Sequence, residues 1–62
     1  SENEVVVQVN GKRRGSITLA TDAPEIDAVT AARTLPAVLT AFTGKEPRRI
    51  VYVPGKIINF VA

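Results

Sequence analysis

The side chains here that could do chemistry are eight lysines and arginines and six carboxylates, with no histidine and no cysteine beside them. Lacking imidazole and thiolate, the chain lacks the commonest general base and the usual zinc ligands. Its one local group of acids is Asp22, Glu25 and Asp27. These could be imagined as an acid/base pair or a metal cluster, but they stand where a helix should begin. Acidic residues there cap free N–H groups and complement the helix dipole. The basic residues gather more clearly: Lys12, Arg13 and Arg14 are consecutive, Lys45, Arg48 and Arg49 lie close together, and Lys56 follows Pro54-Gly55. Such clusters suit the phosphates of a folded nucleic acid, whose contacts fix orientation and make affinity salt-dependent without reading sequence. Cations at strand ends also keep a sheet soluble and block edge pairing. The formal charge of +2 does not separate these readings, because distribution matters more than the total.

The elements that must position these groups follow from pattern. Glu4 to Val9 is rich in β-branched residues and runs into Asn10-Gly11, a strong hairpin signal, with Lys12 to Ala20 as the returning strand. A three-residue loop, pairing Val7 with Arg13 and Val5 with Gly15, aligns Val5, Val7, Gly15, Ile17 and Leu19 on one inner face. It leaves Gln8, Lys12, Arg14, Ser16 and Thr18 on the outer face and Arg13 at the inner rim with its stem buried. Asp22 and Glu25 have capping-box spacing ahead of a short helix with an Ile26/Val29 face that ends near Arg33. Thr34 then caps a second helix, with Pro36 in its first turn and Leu35, Val38, Leu39 and Phe42 as its apolar stripe. Arg49 to Val53 and Lys56 to Val61 are two more strands around a Pro54-Gly55 type II turn. Both are apolar on both faces, as expected of central or doubly covered strands. Asn10, Gly11, Pro54 and Gly55 are candidates to present backbone amides to a phosphate or base, although such pairs more often simply make turns. Tyr52 could stack on a base, but within an apolar strand it belongs to the core or its rim.

The expected fold is therefore a small α+β domain in ββααββ order, one mixed sheet with both helices on one face. Residues 4–62 form the domain and 1–3 a disordered tail. Nearly half of the residues are hydrophobic, enough for one modest core without disulfides. The composition is that of a soluble chain from a reducing compartment.

Two segments carry a family resemblance. Val7-Gln8-Val9-Asn10-Gly11-Lys12, with Arg14-Gly15 and Ile17-Thr18 after it, resembles the opening of the carboxyl-terminal domain of bacterial-type leucyl-tRNA synthetases. Ile50-Val51-Tyr52-Val53-Pro54-Gly55-Lys56-Ile57-Ile58-Asn59-Phe60-Val61 is similar to that domain's ending. The chain departs from the pattern at Arg13, where the family has an apolar residue, and at Ser16, where it has lysine. The resemblance implies a module that docks on the outer corner of leucine-accepting tRNA, where the D and T loops meet. It also implies a cytoplasmic, ATP- and Mg-using class I ligase as parent, whose catalytic and editing sites lie outside these residues. Lys12, Arg13, Arg14, Lys45, Arg48, Arg49 and Lys56 are the candidate tRNA contacts. No catalytic residue, metal, cofactor, small-molecule ligand or membrane is expected for the domain itself, which should be monomeric in isolation. The rival reading is a protein-interaction module that docks on its parent or self-associates through a sheet edge.

Overall fold

Valines at 5, 6, 7 and 9 make Glu2–Val9 a strand (β1), since β-branched side chains suit the pleated surface. In the computed structural model, which describes residues 2–62, Asn10 and Gly11 both take positive φ (53° and 82°). That is the signature of a type I′ turn, whose twist matches that of the strands it joins. The returning strand Lys12–Ala20 (β2) is antiparallel, with Val9 opposite Lys12 and Gln8 opposite Arg13. One step further the register shifts, and Val7 lies opposite Gly15. Arg14 is the extra residue of a β-bulge.

This corrects the expected three-residue loop. The chain keeps the favourable two-residue turn and takes up the odd residue in the strand, so Val5 meets Ile17 rather than Gly15. The expected inner face survives, because Val5, Val7, Gly15, Ile17 and Leu19 still share one side. Gly15 permits a close approach there: a Cβ at that position would sit 3.2 Å from Leu35 Cδ1. Glu2 and Asn3 pair with Ala20 and Leu19, so the strand occupies part of what was expected to be a loose tail over 1–3; Ser1 lies outside the described residues.

Two short helices follow, Glu25–Ala32 (α1) and Pro36–Ala41 (α2). Neither expected cap forms. Pro24 occupies the N-cap of α1 without a side-chain bond, and Asp22 lies in the turn before it. Leu35 is the N-cap of α2, while the Thr34 hydroxyl donates to Ala31 O at 2.7 Å and closes the preceding helix. Glu25 and Asp27 do sit in the first turn of α1, where they complement its dipole. The helix buries Ala28 and Ala32, one turn apart, and leaves Ile26 68% exposed. On α2, Val38 is buried and Leu35 and Phe42 pack against the core, but Leu39 points outward at 56% exposure. Small alanines let α1 lie close on the sheet, and Val29 packs against the core beside them.

The remaining strands are Arg49–Val53 (β3) and Ile57–Val61 (β4). β4 lies parallel to β1, with Val6 to Val9 beside Ile57 to Phe60, and antiparallel to β3. The sheet order is β2-β1-β4-β3, so β4 is central and β3 is an edge. Val5, Val7, Val9, Ala28, Ala32, Val38, Ile58 and Phe60 form the core under the helices. The Phe42 and Phe60 rings meet there at 6.0 Å and 50°. The opposite face carries Val6, Gln8, Val51, Ile57, Asn59 and Val61, all half-buried, and no helix covers it.

Candidate nucleic-acid interface

Strand direction decides which cations meet. β1 ends at the hairpin turn, the parallel β4 ends beside it, and the antiparallel β3 begins there. Asn10 N–H donates to Phe60 O at 2.8 Å, and Arg48 N–H donates to Val61 O at 2.7 Å. Lys12, Arg13 and Arg14 are thereby brought to the same end of the sheet as Arg48 and Arg49, and Lys45 lies in the loop leading into it. All six are exposed. Lys56 does not join them. It stands in the β3–β4 turn, at the other end of both strands, where its carbonyl accepts from Val6 N–H at 3.0 Å. Val6 is four residues from Asn10, about 13 Å along the strand. Glu2 and Glu4 lie at that far end of β1, and Asp22 follows the far end of β2. A small net charge thus conceals a polar distribution along the sheet.

The bulge divides the hairpin cations between the two faces. Arg13 is opposite Gln8 and so shares the open face, while Lys12 is opposite Val9 on the helix side. Arg14 lines a groove of about 360 Å³ with Val9, Pro36, Ala37, Thr40 and Ala41. The expected assignment of Lys12 and Arg14 to the outer face and Arg13 to the inner rim is therefore reversed. One inserted residue exchanges the faces of everything between it and the turn. Arg13 is exposed. Arg49, opposite Val61, joins it on the open face, so cations wrap around the end of the sheet. Among the described residues the one ion pair joins Arg33 to Glu46 at 3.1 Å, which occupies the carboxylate nearest in sequence to Lys45.

The turn amides are largely committed within the fold. Gly11 N–H donates to Asn59 Oδ1 at 3.0 Å, and Asn10 Oδ1 accepts from Ala62 N–H at 2.9 Å. Two asparagines thus clasp the hairpin turn to the end of β4. In the other turn Gly55 has φ 75° and Lys56 N–H donates to Val53 O at 3.0 Å, the form expected of Pro-Gly. Tyr52 is not presented for stacking; its hydroxyl donates to Ala23 O at 2.7 Å. The role of Asn59 is not among the sequence expectations, and the signal for it is an amide in an otherwise apolar strand. Among the described residues no group of three or more acidic, histidine or cysteine side chains could hold a metal ion, and no helix is long and apolar enough to cross a membrane.

Fold and site together define a small α+β domain whose exposed cations gather at one end of the sheet. Over nearly its whole length the chain is similar to leucine–tRNA ligases: 49% identical over 57 residues to that of Rhodospirillum rubrum and 48% over 62 residues to that of Agrobacterium fabrum. The corresponding ligase of Brucella anthropi is 43% identical over 63 residues. These matches cover 92%, 97% and 98% of this chain, but only about 7% of each relative. The structure is similar to part of the Agrobacterium radiobacter K84 agnB2 LeuRS in its ternary complex with tRNA and LeuAMS. There the TM-score is 0.83 and the identity 30%, over 97% of this chain and 8% of that one. No family model matches the chain. The chain belongs, as a carboxyl-terminal-type domain, to the leucyl-tRNA synthetase family.

Proposed function

We propose that this domain docks on the outer corner of leucine-accepting tRNA, where the D and T loops meet, and steadies the tRNA for leucylation and editing by the rest of a cytoplasmic leucine–tRNA ligase. The observation that carries this reading is the convergence of Lys12, Arg13, Arg14, Arg48 and Arg49 at one end of the sheet, with Lys45 close by. Cations on both faces of a narrow edge suit a convex, folded RNA surface, which offers phosphates at several angles. Contacts of this kind position a partner and leave base identity unread. Leucine specificity, ATP and magnesium therefore belong to other parts of the ligase, and no catalytic step is assigned to these residues. The relative solved with tRNA bound supports the choice of partner.

The test is a titration of the domain with folded leucine-accepting tRNA at two salt concentrations, followed by NMR. Amide shifts should concentrate at Lys12 to Arg14 and at Arg48 and Arg49, and remain small around Lys56. With about five phosphate contacts, log K should fall against log salt with a slope of roughly −4. Shifts spread evenly over the surface, or an affinity indifferent to salt, would refute the docking mode.

A further inference from the structure

The clasp around the hairpin turn encloses a reactive pair. Asparagine followed by glycine is the dipeptide most prone to self-deamidation, because no side chain hinders attack by the following nitrogen. In that reaction the Gly11 nitrogen loses its proton and bonds to Asn10 Cγ, and ammonia leaves. Water then opens the resulting succinimide to aspartate or to isoaspartate, in which the backbone runs through the β-carboxyl. No oxidant or enzyme is needed. We infer that Asn10 is a site of spontaneous deamidation, and that Asn59 holds it in check.

Both reacting groups are restrained in the fold. The Gly11 N–H is directed at Asn59 Oδ1, 3.0 Å away, and must leave that acceptor before its nitrogen becomes a nucleophile. The Asn10 amide is held from the other side, where its Oδ1 accepts the Ala62 N–H at 2.9 Å. Asn10 N–H is bonded to Phe60 O at 2.8 Å, so the left-handed turn is anchored at three points to the end of β4. Asn10 and Gly11 are otherwise exposed, and water has access whenever the clasp opens. Reaction thus proceeds through a local opening of the turn from β4, without unfolding the core.

The product would be altered where the cations converge. A carboxylate at position 10 lowers the formal charge by one unit from +2, two residues from Lys12. Isoaspartate also adds a backbone atom to a two-residue turn, which disturbs the pairing of Val9 with Lys12 that places the neighbouring arginines. The expected loss of RNA affinity rests on the function proposed above; the deamidation itself does not.

The experiment follows deamidation by peptide mass mapping at neutral pH, in native buffer and in denaturant, for the unmodified chain, Asn59→Ala and Ile50→Val. Ile50→Val trims the core on the helix side of β3, opposite Phe60, while leaving the side-chain bonds of both asparagines in place, and so controls for general loss of stability. The unmodified chain should react roughly tenfold more slowly when native than when denatured, and Asn59→Ala should recover most of that difference while still unfolding cooperatively. Ile50→Val should stay close to the unmodified rate. Equal native rates for Asn59→Ala and the unmodified chain would overturn the inference, as would equal native and denatured rates. If Asn59→Ala fails to fold, native-state hydrogen exchange at Gly11 in the unmodified chain decides: exchange slower than in an unstructured peptide supports the restraint, and unprotected exchange removes it. None of these readouts involves RNA, so failure here leaves the docking proposal standing, and the reverse.

Discussion

Tyr52 shows how much one polar atom settles at the residue scale. Its ring lies on the helix side of the edge strand, opposite Ile58, and its hydroxyl reaches across to Ala23 O in the connection before α1. The bond ties the β3 edge of the sheet to the segment that turns the chain out of the hairpin. Tyr52→Phe should cost about 1 kcal/mol, a fall of roughly 4–8 °C in the Tm of a domain this small, measured by thermal unfolding. RNA affinity should be unchanged, because no cation moves. Strand context alone is enough to put Tyr52 in the core or its rim, where it packs. Strand context does not reveal the role of Asn59, which depends on Gly11, 48 positions away. Local sequence holds the type of each residue but not the partner that a parallel pairing delivers.

At the scale of elements, the helical layer shows how far hydrophobicity alone places a face: Val29 packs against the core as expected, and Ile26 does not. The bulkiest apolar residue of α1, Ile26, is largely in solvent, whereas Ala28 and Ala32 are fully buried. Ala28→Leu should therefore destabilise the domain by about 1–3 kcal/mol through overpacking. Ile26→Gln should change stability by no more than about 0.5 kcal/mol. Urea or thermal unfolding of the two variants gives the comparison, and the reverse order would mean that α1 is rotated about its axis. The elements themselves were legible: their order, their types and most of their limits follow from β-branched runs, turn dipeptides and Pro36. The bulge at Arg14 was not, since the same inner face is produced by a longer loop or by an inserted strand residue. Nor was strand order, because pairing β1 with β4 depends on contacts across nearly the whole chain. The missing helix caps have a related cause, for Asp22 and Thr34 are acceptable caps by type but are held in turns of their own.

Across the whole molecule, topology converts scattered charges into a directed one. A strand of nine residues spans about 30 Å, close to the 34 Å long dimension, so the two ends of the hairpin are well separated. Sequence puts Lys56 at a turn of its own and does not say which end of the sheet that turn occupies. Only the alternation of strand directions places the start of β3 beside the hairpin tip and the β3–β4 turn far from it. Arg49 opens β3 and Lys56 stands in the turn that closes it, and because both are exposed basic residues they make a matched comparison. Reversing either one, Arg49→Glu or Lys56→Glu, takes the formal charge from +2 to zero. The measurement is the affinity of each variant for folded leucine-accepting tRNA at low salt. If the tip is the docking surface, Arg49→Glu weakens binding by roughly tenfold or more, and Lys56→Glu leaves it within about twofold. Equal losses would mean that net charge alone drives association, and a larger loss for Lys56→Glu would place the RNA at the opposite end of the sheet.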